Sequence, residues 1–395
     1  MLVSIVIGFA ALVAGAPEAF HQEELLFPPQ SAHNHSSSIV ETGQGDLLAC
    51  WFHGQGEKGD NALVIQGARK PAGGSAWSAP FVMADNPDLP DQNPVLFIDN
   101  EDTLWLFWIS SLDNTSFTYL IKYAKSSHYT QDGAPRWDWQ DVLICHPQDA
   151  ETVFQEAAVR FDKDCADLVA GDEKLAQRLT EFRESAARKL DHRLGWMTRQ
   201  PPIMLGDGCL MLPLYSDIHG CSLIASTKDS GHTWQFGKPM VLDTYGNIQP
   251  ALVQKRNGDL VAFMRERGYT QKVRRAVSQD GGATWSEVPM DIPNPGSSVA
   301  CIVLASGNWL LVCNDTTGGP RSGRYLLSAF LSDDEGATWK WKRTLENNEA
   351  VGAAYPTVIQ SQNGDILCTY TFSPPEGETI KLSRFNAAWI QQGGK

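Results

Sequence analysis

The stretch Ser278-Gln279-Asp280-Gly281-Gly282-Ala283-Thr284-Trp285 is one of three copies of a single pattern, Ser/Thr-x-Asp-x-Gly-x-Thr-Trp. The other copies occupy residues 227–234 and 332–339. Their closing tryptophans, Trp234, Trp285 and Trp339, are 51 and then 54 residues apart. A fixed period of about 50 residues marks a repeat architecture. The chemistry of each copy is that of a turn. The Asp side chain accepts hydrogen bonds from its own turn backbone, the Gly supplies a positive φ, and the Trp plugs the turn into the core. The pattern predicts a β-hairpin corner and assigns no active site.

Counting outward from each copy exposes a larger unit. An apolar strand, often led by Pro, meets a Gly/Asn/Asp turn and a second apolar strand, the signature of a tight hairpin. Six such hairpins occur, at 37–50, 94–108, 202–214, 250–264, 299–312 and 356–370. A third strand follows each one. In the third, fourth and fifth units the Asp-containing turn then leads to a fourth, outer strand, and degenerate versions stand near Trp77 and Trp137. The expected fold is all-β, a six-bladed β-propeller over 17–395. The sixth unit lacks its own fourth strand, and the strand at 22–27 can supply it and close the ring. Between 150 and 193 apolar residues recur at helical spacing among many charges. This predicts a short helical insertion between blades two and three, which is a lid, a side buttress or a solvated decoration.

The totals bound the function. The chain has 395 residues, 42% of them hydrophobic, enough for one large all-β domain. A net charge of −14 excludes nucleic acid as a partner, because phosphate binding needs a basic surface. A small anionic ligand remains open where arginines gather locally. Residues 2–16 are apolar and end in Ala14-Gly15-Ala16, which predicts a signal peptide over 1–16 and a secreted or periplasmic protein. The segment is too short to span a membrane, and no other stretch approaches a membrane span. Eight cysteines are scattered without a Cys-x-x-Cys pair, so no zinc site is expected. Most read as buried thiols, and Cys301 and Cys313 are candidates for a disulfide across a hairpin. His33, His35 and His53 have no acidic residue at ligand spacing, so no metal and no cofactor is expected.

In a propeller the innermost strand of every blade starts at one face of the central channel. Here those starts bring His35, Asn93, Arg199, Gln249, Ser297/Ser298 and Tyr355 together. Packing alone would accept small apolar residues at these places. Arg265 and Arg324 sit near strand ends that reach the same face, whereas Arg267, Arg274 and Arg275 read as a solvated basic face.

With its three Asp-containing turns and six repeats, the chain resembles the sialidase (neuraminidase) superfamily over roughly residues 22–390. The resemblance implies an exo-glycoside hydrolase acting on an acidic terminal sugar of a glycan, working as a monomer. It implies that Arg265 and Arg324 hold the substrate carboxylate, that Tyr355 is the nucleophile, and that Asp60 is the acid/base. Two positions depart from the family pattern. His35 stands where the family has an Arg, and Gln249 where it has a Glu that assists the Tyr. Arg199, in Arg199-Gln200-Pro201-Pro202, can restore an arginine cluster from another direction.

Two further classes remain open. In the first, His35, His53, Arg199 and Tyr215 form a His/Tyr/Arg set that abstracts the proton α to a uronate carboxylate, in a polysaccharide lyase. In the second, a glycan-binding propeller without catalysis, aromatics and arginines around the channel suffice, with Arg199, Arg265, Arg324, Tyr215, Asn93 and Gln249 as the substrate-binding candidates.

Overall fold

The structure is a computed structural model that describes residues 18–56, 60–165, 167, 171–242, 246–267 and 270–393. The predicted signal peptide at 1–16 lies outside the described residues. The first strand, β1 (His21–Leu25), stands alone in sequence. Blade one is β2 (His33–Glu41), β3 (Leu47–Gly54), β4 (Val64–Lys70) and β5 (Phe81–Ala84). Blade two is β6 (Asp91–Ile98), β7 (Leu104–Ser111), β8 (Tyr119–Ser126) and β9 (Trp139–Leu143). Helices α1 (Ala150–Asp164) and α2 (Glu173–Ala186) follow. Blade three has a broken inner strand, β10 (Trp196–Thr198) and β11 (Ile203–Met204), then β12 (Leu210–Ser216), β13 (Cys221–Thr227) and β14 (Gln235–Phe236). Blade four is β15 (Asn247–Gln254), β16 (Leu260–Glu266), β17 (Arg274–Ser278) and β18 (Ser286–Glu287). Blade five is β19 (Val299–Val303), β20 (Trp309–Asn314), β21 (Leu326–Ser332) and β22 (Trp341–Asn347). Blade six is β23 (Gly352–Gln360), β24 (Ile366–Ser373) and β25 (Thr379–Phe385), ahead of the short helix α3 (Ala387–Gln392).

The six sheets are antiparallel and ordered as a six-bladed propeller. β1 pairs with β25 from His21↔Phe385 to Leu25↔Lys381, so the N-terminal strand completes blade six. The closure is reinforced where Thr379 Oγ1 donates to the Phe27 carbonyl at 2.6 Å. Ring closure of this kind leaves no long sheet edge exposed.

The predicted turns form with repeated geometry. In blade three the Gly231 N–H donates to Thr227 Oγ1 (3.0 Å), and Asp229 accepts from the Thr233 N–H (2.8 Å) and hydroxyl (2.6 Å). The same bonds recur at Ser278, Asp280, Gly282 and Thr284, and again at Ser332, Asp334, Gly336 and Thr338. The glycines take φ of 82°, 92° and 75°. The tryptophans differ from expectation. Trp234, Trp285 and Trp339 are half-buried and pack against the core clusters from their rim.

The insertion is a buttress. Phe154, Phe161, Leu175, Leu179 and Phe182 are buried in the same apolar cluster as Phe107, Tyr123, Trp196 and Leu212 of blades two and three. All eight cysteines are free and buried. Cys301 stands opposite Leu311 and Cys313 opposite Val299 in the ladder, so the expected disulfide does not form.

One irregularity positions the channel. The inner strands of blades one, two, four and six lose register with their partners between His35 and Ser38, Gln92 and Val95, Ile248 and Ala251, and Ala354 and Thr357. Each bulge contains a residue of positive φ: Ser36 (57°), Asn93 (50°), Gln249 (57°) and Tyr355 (60°). In three of them the next residue is Pro, which lacks the N–H that a continuous ladder would use. A bulge re-aims its side chain, and here Asn93, Gln249 and Tyr355 reach the cavity at the channel mouth, whereas Ser36 is fully buried beside His35.

Candidate functional site

Side chains at this mouth line a cavity of about 370 Å³. His35, Asn93, Tyr215, Gln249, Arg265, Arg324 and Tyr355 all line it. Seven residues picked from sequence therefore meet in one place. Arg199, His53 and Asp60 do not line it.

Tyr355 is the centre of the arrangement. Arg265 Nη1 donates to its hydroxyl at 3.1 Å and reaches Gln249 Oε1 at 3.5 Å. The Arg324 guanidinium carbon lies 5.3 Å from the centre of the Tyr355 ring. His35 meets the same ring edge-on, with centroids 4.1 Å apart. Arg324 is brought here because its carbonyl accepts the Ala353 N–H (2.7 Å), which ties the loop before β21 to the start of β23. Burial, together with the charges of His33, Arg324, Arg199 and Arg265, holds the His35 imidazole well below its usual range, so it is neutral at neutral pH.

The opposite wall is neutral and polar. Asn93 Nδ2 and Gln249 Nε2 both donate to the Tyr215 hydroxyl oxygen, at 3.1 and 3.2 Å. Burial pushes the Tyr215 phenol well above its usual range. Tyr215 therefore keeps its proton, and its two amide partners leave that proton available to a ligand oxygen.

Three expectations are corrected. Arg199 is 1% exposed and lies behind Tyr355, 5.3 Å from the centre of its ring. It donates to the Pro356 carbonyl (2.9 Å), Thr357 Oγ1 (3.2 Å) and the Ser37 carbonyl (3.4 Å). Burial pushes its guanidinium down to about 10, which leaves it cationic. It clamps the backbone that carries Tyr355 and cannot restore the carboxylate-binding cluster. His53 is turned away, its Nδ1 2.8 Å from Asn34 Oδ1, which also accepts from Trp51 Nε1. Asp60 accepts from the Gln55 N–H (2.6 Å) and the Ala62 N–H (3.0 Å), so its carboxylate organises its own turn.

Four cavity residues escaped the sequence reading as ligand-facing groups. Arg267 pairs with Asp217 and also donates to the Asp217 carbonyl at 3.1 Å. Strand alternation from Arg265 was a usable signal, since residues two apart share a face. Its supposed companions do not form a solvated face, since Arg274 is buried and Arg275 half-buried. Arg274 is buried against Glu287 and Glu266, and Arg275 donates to the Gly336 carbonyl at 2.8 Å. On the other side, His33 Nδ1 lies 2.7 Å from Glu378 Oε2. Those two residues are 345 positions apart, and only ring closure brings them together. The cavity's carboxylates are thus committed, Asp217 to Arg267 and Glu378 to His33. Among the described residues, neither Arg265 nor Arg324 has a carboxylate partner.

A closed ring of six four-stranded blades, with Asp-containing corner turns and an arginine-lined channel mouth, is the architecture of a sialidase-type propeller. The chain matches the BNR repeat-like domain over residues 45–158 and 182–368, and it belongs to that family. Two Vibrio cholerae sialidases are each 27% identical over 171 residues, which cover 36% of this chain and 22% of the relative. The chain thus matches only about a fifth of the length of these curated relatives. Among solved structures, a protein of unknown function from Dyadobacter fermentans superposes with a TM-score of 0.66 at 16% identity, covering 92% of this chain and 97% of the other. The leech intramolecular trans-sialidase, in complex with 2,7-anhydro-Neu5Ac, superposes with a TM-score of 0.67 at 12% identity, covering 94% and 71%. At these identities the superpositions show a shared fold.

Proposed function

We propose that the protein is an exo-acting glycoside hydrolase of the sialidase superfamily that removes a carboxylate-bearing terminal sugar from a glycan. The observation that carries this reading is the pair Arg265 and Arg324, both against Tyr355 and neither paired with a carboxylate. Two guanidinium forks converging in a partly closed cavity favour one planar carboxylate. Asn93, Gln249 and Tyr215 supply hydrogen bonds for the sugar's hydroxyl and amide groups. A cavity of about 370 Å³ suits one terminal residue better than an internal stretch of chain.

In this mechanism the Tyr355 hydroxyl attacks the anomeric carbon as the glycosidic C–O bond breaks. The phenol proton passes to neutral His35 and from it to the departing oxygen, so no net charge accumulates. Water then reverses the path. Its oxygen bonds to the anomeric carbon, the bond to Tyr355 breaks, and the proton returns to the phenol through His35. A phenol nucleophile tolerates a nearby carboxylate better than an anionic Asp or Glu would, and sialidases are exceptions to the two-carboxylate scheme. We propose further that the chain is exported after cleavage following Ala16. N-terminal sequencing of the mature protein tests this, with Pro17 expected first.

One observation favours a second reading. Gln249 cannot accept a proton from Tyr355, and Asp60 is engaged in its own turn. A uronate lyase needs only a cation for the carboxylate and a His or Tyr base, all of which this cavity has. One assay separates the two readings. The protein is incubated with sialosides, with terminal uronosides and with internal uronate polysaccharides. Release of an acidic monosaccharide without new ultraviolet absorbance supports the hydrolase, and absorbance from a new conjugated double bond supports the lyase. Binding of the free acidic sugar without turnover of any substrate indicates a glycan-binding propeller.

A further inference from the structure

We infer that His33, braced by Glu378, is a positioning residue that holds the His35 ring against Tyr355. The inference rests on the reading of this cavity as a catalytic site, and it assigns a role to two residues outside the expected set.

Among the described residues, no hydrogen bond orients the His35 ring. Its Nδ1 is buried without a partner. What fixes the ring is contact. Tyr355 meets it at 4.1 Å between centroids, and Phe52 meets it at 5.5 Å. His33 stacks on it at 5.0 Å with an interplanar angle of 22°. His33 and His35 are two residues apart on β2 and so face the same side of the strand.

His33 is itself held from blade six. Its Nδ1 is 2.7 Å from Glu378 Oε2, and that oxygen also accepts the Asn34 N–H at 3.1 Å. Ser373 Oγ donates to Glu378 Oε1 at 3.4 Å, and the Glu378 backbone exchanges two hydrogen bonds with Gln30, at 2.7 and 2.9 Å. Burial opposes ionisation of Glu378, but the His33 partner, its charge and the Asn34 N–H outweigh it and keep the carboxylate below its usual range. The charged or titratable groups that face His35 are His33 on its own strand, Arg199 after β10, Arg265 on β16, Arg324 before β21 and Tyr355 on β23. All but Tyr355 are cationic or become so. A ring that must pass a proton between a phenol and a sugar oxygen needs a fixed tilt, and a stacked neighbour anchored by a carboxylate supplies it.

The test compares wild type with His33→Gln, His33→Phe and Glu378→Gln. It follows the His35 signal in ¹³C-histidine NMR as pH is varied, with kcat and KM measured in parallel. Removing a like charge at this range should move the His35 midpoint up by about one pH unit in both His33 variants. Loss of the stack should lower kcat about tenfold in His33→Gln and Glu378→Gln with KM nearly unchanged, while His33→Phe, which keeps a stacked ring, retains most of kcat. A kcat that stays at the wild-type value in His33→Gln overturns the inference, whatever the His35 midpoint does. The titration is read on the free protein. A wild type that turns over no acidic glycoside therefore defeats the functional reading alone, and the hold of His33 on His35 is then read from the His35 ring signals, which should move in His33→Gln and Glu378→Gln and stay close to wild type in His33→Phe.

Discussion

In the corner turns of blades three, four and five, the same residues make the same hydrogen bonds. The Gly N–H to hydroxyl distance is 3.0, 2.8 and 2.9 Å in the three copies, and the Thr hydroxyl to Asp distance is 2.6 Å in each. At the inner bulges of blades one, two, four and six it is the backbone that repeats. Positive φ recurs at Ser36, Asn93, Gln249 and Tyr355, whose side chains are a hydroxyl, two carboxamides and a phenol. The turns use identical chemistry to fix a shape. The bulges use an identical shape to place different chemistry. A left-handed conformation at a non-glycine residue costs about 1 kcal/mol or more, and three together at one channel mouth, Asn93, Gln249 and Tyr355, are a cost that packing alone does not call for. The contrast locates the site independently of any resemblance.

The largest expected effect comes from the bulge side. Tyr355→Phe removes one oxygen from the ring that Arg265, Arg324 and His35 converge upon. Turnover of the acidic glycoside should fall by about a thousandfold or more, while thermal melting stays near wild type. An unchanged rate would remove Tyr355 as nucleophile and point to Tyr215 or His35 as the reacting group. Next comes Arg265→Ala, which deletes a charge-assisted contact to the carboxylate. Affinity for the free acidic sugar should weaken by about 10- to 100-fold, read by calorimetry.

Arg199 tests the boundary between the two regions. It was a plausible ligand residue in the sequence, because it leads the inner strand of blade three. The structure spends its hydrogen bonds on the Ser37 and Pro356 carbonyls and on Thr357 beneath Tyr355. Arg199→Met should therefore destabilise the fold by about 2–3 kcal/mol, measured by denaturant unfolding, and lower kcat through Tyr355 with little change in KM. A selective rise in KM with full stability would return Arg199 to the substrate.

The blade count, the hairpins, the N-terminal closing strand and seven of the cavity residues were legible in the sequence, because each depends on local periodicity or on its place in a repeat. What was not legible depends on the ring being closed. Glu378 reaches His33 across the seam between blades six and one, and Asp217 reaches Arg267 across the boundary of blades three and four. Asp60 failed for a different reason. An Asp flanked by Gly59 and Asn61 satisfies turn chemistry and acid catalysis equally well on paper, and the turn claims both its oxygens. The half-buried tryptophans show the limit of reading burial from hydrophobicity alone, since a residue that packs against a core from its rim looks like one that fills it.

The smallest effect belongs to the turns. Asp280 accepts from the Thr284 hydroxyl and N–H and from the Ser278 hydroxyl, and these bonds lower its carboxyl to about 2. Asp229, held by Thr233, is likewise lowered to about 2. Because the folded values lie below those of the unfolded chain, these groups stabilise the fold above the ordinary Asp range. That contribution fades as pH falls from about 4 through about 2. Both carboxylates are exposed, so solvent screening keeps the contribution small. Asp280→Ala should lower Tm by about 1–2 °C at neutral pH. The difference from wild type should shrink toward acid pH, where the wild-type carboxyl is also protonated, and kcat and KM should not change. One corner of blade four would then be loosened while Gln249 and Arg265 of the same blade keep their places, as expected if the turns set the frame and the bulges set the chemistry. A loss of activity on that substitution would mean that the frame and the site are coupled through β16 and β17, and the division drawn between outer turn and inner bulge would not hold for blade four.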